Sequence, residues 1–153
     1  DLTFFDEETQ ERFIPHCIEP TFGLDRLFLA VLSDAYTEDE IDGETRVYMK
    51  FSPKVAPVKV AVFPLLKNKP HLVEKAREVY AMLKKQIPGV VFDDNGNIGK
   101  RYRRQDEVGT PYCVTIDFDT VEKNSGVTVR DRDTGRQERV EIDNLLAYLT
   151  KNI

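Results

Sequence analysis

The residues best placed to do chemistry lie in the run Ile14-Pro15-His16-Cys17-Ile18-Glu19-Pro20-Thr21-Phe22-Gly23-Leu24-Asp25-Arg26. It reads as a strand that breaks into a helix with Arg26 in the first turn. Leu24, Leu27, Phe28, Val31, Leu32 and Ala35 keep the i, i+3, i+4, i+7, i+8 spacing of one helix face. Arg26 lies off that stripe. Gly23 lets a ligand approach the backbone closely, and a helix start adds partial positive charge. The set suits an anionic ligand, with Glu19 available to an ammonium group and Arg26 to a phosphate or carboxylate. A solvated arginine in an ordinary strand-to-helix turn explains the same residues, and local pattern alone favours it.

The second run is Gly96-Asn97-Ile98-Gly99-Lys100-Arg101-Tyr102-Arg103-Arg104-Gln105-Asp106-Glu107. Four basic residues surround one tyrosine. They cannot share a helix face, because consecutive side chains point about 100° apart, so some must be solvated or paired with Asp106 and Glu107. The glycine spacing fits neither a Walker A loop nor a dinucleotide fingerprint. A third charged run, Val129-Arg130-Asp131-Arg132-Asp133, precedes Arg136.

The elements that must position these runs fall into two parts. After the first helix comes an acidic, turn-prone stretch, Thr37 to Glu44, then a strand-like alternation from Thr45 to Phe51. Ser52-Pro53-Lys54-Val55-Ala56-Pro57 reads as a linker, since proline restricts itself and the residue before it. Beyond it, Val58–Leu65 is apolar enough for a buried strand. Pro70 opens a helix carrying Leu72, Val73, Ala76, Val79, Tyr80 and Leu83 at helical spacing. Pro88-Gly89 stops that helix, and Val90–Phe92 is a short strand ending in the turn Asp93-Asp94-Asn95-Gly96. A polar helix spans Ile98–Val108, Gly109-Thr110-Pro111 breaks it, and a strand covers Tyr112–Phe118. Val127–Asp131 and Glu138–Ile142 form a hairpin around Asp133-Thr134-Gly135, and a helix beginning at Leu145 closes the chain. The order β-α-β-α-β-β-β-α predicts a mixed five-stranded α/β sheet flanked by helices. A receiver-like fold shares part of this pattern. The closing hairpin and the apolar strand ahead of Asp93-Asp94 argue against it, and that acidic pair reads as turn-capping.

Bulk properties narrow the classes. Of 153 residues, 41% are hydrophobic and 32% charged, the balance of a globular chain. No apolar run approaches membrane-spanning length, the N-terminal end is acidic unlike a signal peptide, and no membrane partner is expected. The absence of an initiator Met suggests a fragment. Cys17 and Cys113 are expected as buried free thiols in a reducing compartment, and a zinc site would need both of them with His16 and His71. The net charge of −5 hides an asymmetry. Residues 1–55 carry five basic against thirteen acidic groups, whereas residues 56–153 carry seventeen against fourteen. Indiscriminate nucleic-acid binding is disfavoured, but the second part is mildly basic.

The first run resembles motif 3 of class II aminoacyl-tRNA synthetases, and most closely glycyl-tRNA synthetases of the archaeal and eukaryotic type. The second part is similar to the anticodon-binding domain of that family. Ile98-Gly99-Lys100-Arg101-Tyr102, Asp106-Glu107-Val108-Gly109, Val114-Thr115-Ile116-Asp117-Phe118-Asp119 and Val129–Asp133 with Arg136-Gln137 carry the match. The resemblance covers essentially the whole chain. Thr21 departs from it, standing where a serine is usual after Glu-Pro. Both carry a hydroxyl, and the resemblance implies that the extra methyl would crowd a pocket shaped for glycine.

The resemblance implies a class IIa anticodon-binding fold over residues 56–153, preceded by a strand-helix remnant of a class II catalytic domain over residues 1–55. It implies that Glu19 and Thr21 line the glycine site and that Arg26 contacts ATP phosphates. The full-length enzyme would use ATP with Mg2+ as substrate, act on glycine and glycine tRNA, work as a homodimer, and reside in the cytoplasm, with a mitochondrial location also open. Motifs 1 and 2 have no counterpart here, so the chain alone is expected to be catalytically inactive and to need no cofactor or metal of its own. Loop bases are read by stacking and edge hydrogen bonds, which makes Tyr102, Arg103, Arg130, Arg132 and Arg136 candidate anticodon readers. Asp131 joins them as an acceptor for a cytosine amino group. An exposed cross-strand ion-pair ladder over Arg130–Asp133 explains that run equally well. Phe63 and Tyr112 read as core. The alternative function is a non-catalytic RNA-binding or accessory subunit of the same fold, which would have no need of Glu19 or Arg26.

Overall fold

The computed structural model describes residues 2–41 and 43–153. Asp1, and Asp42 within the acidic stretch, lie outside the described residues. β1 (Phe4–Asp6) and β2 (Glu11–Phe13) form a small antiparallel hairpin. The strand expected at the start of the Ile14–Arg26 run is not formed: residues 14–23 have no regular element and are exposed, Cys17 included. Pro15 cannot donate to a ladder, and no strand among the described residues pairs with this segment. The helix that follows, α1 (Leu24–Ala35), starts at Gly23 as its periodicity requires. Only its last turns find a core. Ala35 is buried with Phe51 and Ala56, and Val31 and Leu32 pack against them. Leu24, Leu27 and Phe28 remain exposed.

The acidic stretch after α1 is a strand, not a turn. β3 (Tyr36–Ile41) pairs antiparallel with β4 (Glu44–Met49), Tyr36 opposite Met49 and Ile41 opposite Glu44. Alternation explains why so charged a segment forms a strand. Thr37, Asp39 and Ile41 share one half-buried face while the residues between them face solvent.

The rest of the chain follows the expected order closely. β5 (Val60–Pro64), α2 (Pro70–Lys84), β6 (Val90–Phe92), α3 (Ile98–Val108), β7 (Tyr112–Ile116), β8 (Val127–Asp131), β9 (Gln137–Val140) and α5 (Ile142–Asn152) all form. A five-residue helix, α4 (Phe118–Glu122), was not anticipated. An Asp117–Thr120 capping box fixes α4. The sheet order is β6-β5-β7-β8-β9, with β5, β6 and β7 parallel and β8 and β9 antiparallel. This mixed topology excludes the receiver-like alternative, whose sheet would be parallel throughout.

Strand alternation gives the sheet two different faces. Val60, Val62, Val114, Ile116, Val127 and Val129 point to one side, where Ala76, Val79 and Leu83 of α2 and Leu145 and Leu149 of α5 cover them. Burial on this scale supplies the main driving force for the domain. On the other side, α3 packs on Ala61, Phe63 and Cys113 through Ile98 and Tyr102. Thr128, Arg130, Gln137 and Arg139 continue that second face across β8 and β9, where α3 reaches Arg130 alone through Tyr102 and Asp106, and Arg139 meets Asp117 and Thr120 at the start of α4. The site described below occupies this half.

The linker is fastened rather than loose. Ala56 is buried, Lys59 N donates to Gly89 O at 2.8 Å, and Arg132 reaches the Phe51 carbonyl at 2.8 Å. Through Phe51, the β3–β4 hairpin is seated against the C-terminal end of α3.

Candidate functional site

Three elements wall a cleft of about 660 Å³: the start of α3, the second face of β8 and β9, and the β3–β4 hairpin. Asn97 caps α3 by accepting from Lys100 N at 2.9 Å. Of the four basic residues on this helix, two are consumed locally. Arg101 is buried and donates to the carbonyls of Pro64, Asp94 and Gly96. Arg104 pairs with Asp93 at 2.7 Å and donates to Asn95 O. Neither pairs with Asp106 or Glu107, the partners expected from composition. Asp93 also accepts from Asn95 N at 2.9 Å, the turn-capping role read from sequence. Lys100 and Arg103 remain exposed at the rim of the cleft.

The cleft floor is an ordered stack. Tyr102 packs edge-on to Phe63 with centroids 5.5 Å apart, and its hydroxyl is 2.7 Å from Thr115 Oγ1. Burial raises the Tyr102 pKa, so the phenol stays neutral. The Arg130 guanidinium lies 5.0 Å over its ring. Arg130 is itself held by Asp106 in a two-pronged pair, Nη1 to Oδ1 at 2.7 Å and Nη2 to Oδ2 at 2.9 Å. Burial works against the charge of Arg130, but the hydrogen bonds and charge of Asp106 outweigh it and raise its pKa.

Asp106 serves a second arginine. Arg46 Nη1 reaches Asp106 Oδ2 at 3.4 Å and the Arg132 carbonyl at 2.6 Å. Its remaining donors grip Asp39 at 2.6 and 2.9 Å, and its guanidinium lies 4.0 Å over Tyr48. Arg46 thus pins the hairpin onto α3. Its hydrogen bonds hold the Asp39 carboxyl below the usual range. A depressed folded-state pKa stabilises above the unfolded value and loses that contribution as pH falls through the folded one. We therefore expect the midpoint of urea denaturation to drop from about pH 4 downward. Asp39→Asn should flatten that slope by a contribution of about 1 kcal/mol or less. Asp117, also depressed, keeps part of the slope in the variant. An unchanged slope in Asp39→Asn would remove this pair from the acid response.

Tyr102, Arg103 and Arg130 meet in this cleft. Asp131 and Arg136 instead border a separate depression beside Tyr148, and Asp131 accepts from Thr134 N and Oγ1 at 2.8 Å each. Arg132 is fully buried, donating to Gly109 O at 2.7 Å, Phe51 O at 2.8 Å and Asp133 at 2.7 Å. The exposed ion-pair ladder is thereby corrected: Arg130 and Arg132 are both buried, and their main partners lie outside the hairpin. Glu19, Thr21 and Arg26 lie on the exposed segment and on α1, away from the cleft. Sequence reading missed Arg46, Glu44 and Asp106 as parts of the site. The alternation Glu44, Arg46, Tyr48 along β4 was the available signal, since it puts all three on one face.

A family model described as the anticodon binding domain matches residues 59–152. The chain belongs to the anticodon-binding domain family. It is also similar along its full length to proteins named glycine–tRNA ligase. That of Caldanaerobacter subterraneus subsp. tengcongensis is 54% identical over 153 residues, covering all of this chain and 32% of that protein. Those of Clostridium kluyveri and Thermobifida fusca are each 54% identical over 154 and 158 residues, again covering all of this chain and 32% and 34% of theirs. The chain thus spans about a third of the length of these curated relatives. The anticodon-binding domain model begins beyond the β3–β4 hairpin, although the hairpin forms one wall of the cleft. No helix among the described residues is long and apolar enough to cross a membrane.

Proposed function

We propose that this chain is the anticodon-reading part of a glycine–tRNA ligase and that its cleft takes the anticodon loop of a glycine tRNA. The observation that carries this reading is the cleft itself. An arginine is locked over a tyrosine at its floor, and two cations with no ion-pair partner among the described residues stand at its rim, all within an anticodon-binding domain. Loop bases stack on aromatic rings and guanidinium planes, while rim cations meet phosphates. Tyr102 and Arg130 form the platform, and Lys100 and Arg103 the phosphate contacts. Arg136 and Asp131 serve nucleotides that run past the cleft edge. Arg132 acts indirectly by seating α3 against the linker.

The whole protein would activate glycine with ATP and Mg2+ as a cytoplasmic homodimer, with residues 1–55 closing its catalytic domain and residues 56–153 reading the anticodon. Glu19 would hold the glycine ammonium beside Thr21, and Arg26 the ATP phosphates. The exposure of these residues and of the Leu24, Leu27 and Phe28 face supports assigning them to a larger catalytic domain. The sequence runs quoted above support the archaeal and eukaryotic type for the parent, of which the bacterial relatives are then further members.

Titration of the 153-residue chain with anticodon stem-loops tests the reading. A glycine loop should bind better than one whose second and third anticodon cytosines are replaced by guanosine. Arg103→Ala should weaken both loops alike, by about 1 kcal/mol, and less so at high salt. Equal affinity for the two loops in the unmodified chain would contradict it.

A further inference from the structure

We infer that Glu44, on the β3–β4 hairpin outside the matched family domain, is a specificity-determining residue that accepts a hydrogen bond from a cytosine amino group in the cleft. The inference rests on the anticodon-loop reading above. It starts from a vacancy in the chemistry. A cytosine edge offers an amino donor, and a carboxylate is its natural acceptor. Only two carboxylates border the cleft among the described residues, Asp106 and Glu44. Asp106 is buried, with both oxygens engaged by Arg130 and one also by Arg46. Asp131 is engaged by Thr134 and borders a different depression. Glu44 is exposed and makes no ion pair with any described residue.

Its placement is as specific as its chemistry. Glu44 is the first residue of β4, opposite Ile41. Along a strand, residues two apart share a face, so Glu44 lies on the side from which Arg46 reaches Asp106 and on which Tyr48 is buried. Arg46 fixes that face to α3 through Asp106 and to β8 through the Arg132 carbonyl. At the far end Ile41 lies against Gly135 of the β8–β9 turn: a Cβ on that glycine would come within 3.1 Å of Ile41 Cδ1. The hairpin is thus held at both ends, and Glu44 stands on a supported arm facing the Tyr102–Arg130 platform. A polar reader needs that support, because an acceptor misplaced by about an ångström loses its selectivity.

Electrostatics alone predicts the opposite outcome for its removal. A carboxylate beside a phosphate backbone repels it, so a Glu44 with no contact to the bases would bind every loop better once replaced. A cytosine acceptor instead discriminates against uracil, which presents a carbonyl oxygen where cytosine presents the amino group.

The test uses the 153-residue chain and three stem-loops: the glycine anticodon loop, and the same loop with uridine replacing the second or the third anticodon cytosine. The unmodified chain should favour the parent loop over at least one uridine loop by on the order of tenfold, equivalent to about 1.4 kcal/mol. In Glu44→Ala that ratio should fall to about twofold or less, with weaker binding of the parent loop. Glu44→Gln, whose amide both donates and accepts, should bind the parent loop and that uridine loop with similar affinity. If Glu44→Ala keeps the tenfold ratio, or tightens all loops together, the inference is overturned while the anticodon-loop reading stands. If the unmodified chain separates neither the uridine loops nor the guanosine loop of the preceding titration from the parent loop, both fail.

Discussion

Replacing Asp106 by alanine should destabilise the chain by about 3–5 kcal/mol, a large share of what holds a domain of this size together. The substitution removes few contacts by area. Its cost arises because Arg130 and Arg46, with side chains only 10% and 12% exposed, would keep their charges without the carboxylate that both of them face. Asp106→Asn should cost less, since an acceptor oxygen remains. Pairing Asp106→Leu with Arg130→Met should recover much of the loss, because the buried pair is replaced by apolar groups of similar volume. Urea denaturation followed by circular dichroism reads all three. A loss of less than about 1 kcal/mol in Asp106→Ala would show that solvent reaches the pair and that the cleft floor is not preorganised by it.

Gly109→Ala should cost about 2–5 kcal/mol for two independent reasons. Gly109 ends α3 at φ 87°, a left-handed conformation that costs an L-residue about 1–2 kcal/mol. A Cβ there would also clash with Phe51 Cδ2 and lie 2.7 Å from the Met49 carbonyl oxygen. Phe51 is buried and Met49 O is backbone, so neither yields easily, and overpacking adds about 1–3 kcal/mol. Gly43→Ala is the control. Its φ of 79° carries the same conformational cost, but its Cβ meets nothing within 4 Å. A thermal melt should therefore rank Gly109→Ala well below Gly43→Ala. Equal melting temperatures would mean that the hairpin does not press on the end of α3. Met49 ends β4 and Phe51 follows it, so the substitution should also loosen the hairpin wall of the cleft.

The fold from residue 58 onward was legible because its signals are local and repeated. Pro70 and Gly109 punctuate their helices, Ile98 and Val108 bound α3 where the polar pattern placed them, and the β-branched runs of β5 and β7 need no distant partner to be recognised. β3 was not legible. Glu38, Asp39 and Glu40 read as solvated turn residues, and only Arg46 across the hairpin turns Asp39 into part of a packed face. The start of the Ile14–Arg26 run failed as a strand for the converse reason, its pattern being apolar but its neighbours absent among the described residues.

The site followed the same division. Tyr102, Arg103 and Arg130 could be nominated from the family resemblance together with their stacking and hydrogen-bonding side chains, and they meet in the cleft. The burial of Arg130 and Arg132 could not be read, because their partners lie far along the chain. Asp106 is 24 positions from Arg130, and the Phe51 carbonyl is 81 from Arg132. Charge runs are normally solvated, and these depart from that rule only through contacts that the folded chain creates.

The most direct test of an anticodon-loop cleft is an amide chemical-shift map of the isotopically labelled chain titrated with a glycine anticodon stem-loop. The largest changes should gather at Lys100, Tyr102 and Arg103 on α3, at Arg130 and Gln137 on β8 and β9, and at Glu44 on the hairpin. The amides of Leu24, Leu27 and Phe28 should stay still. Changes confined to α1, or spread without a centre over the basic surface, would contradict the assignment of this cleft to the anticodon loop.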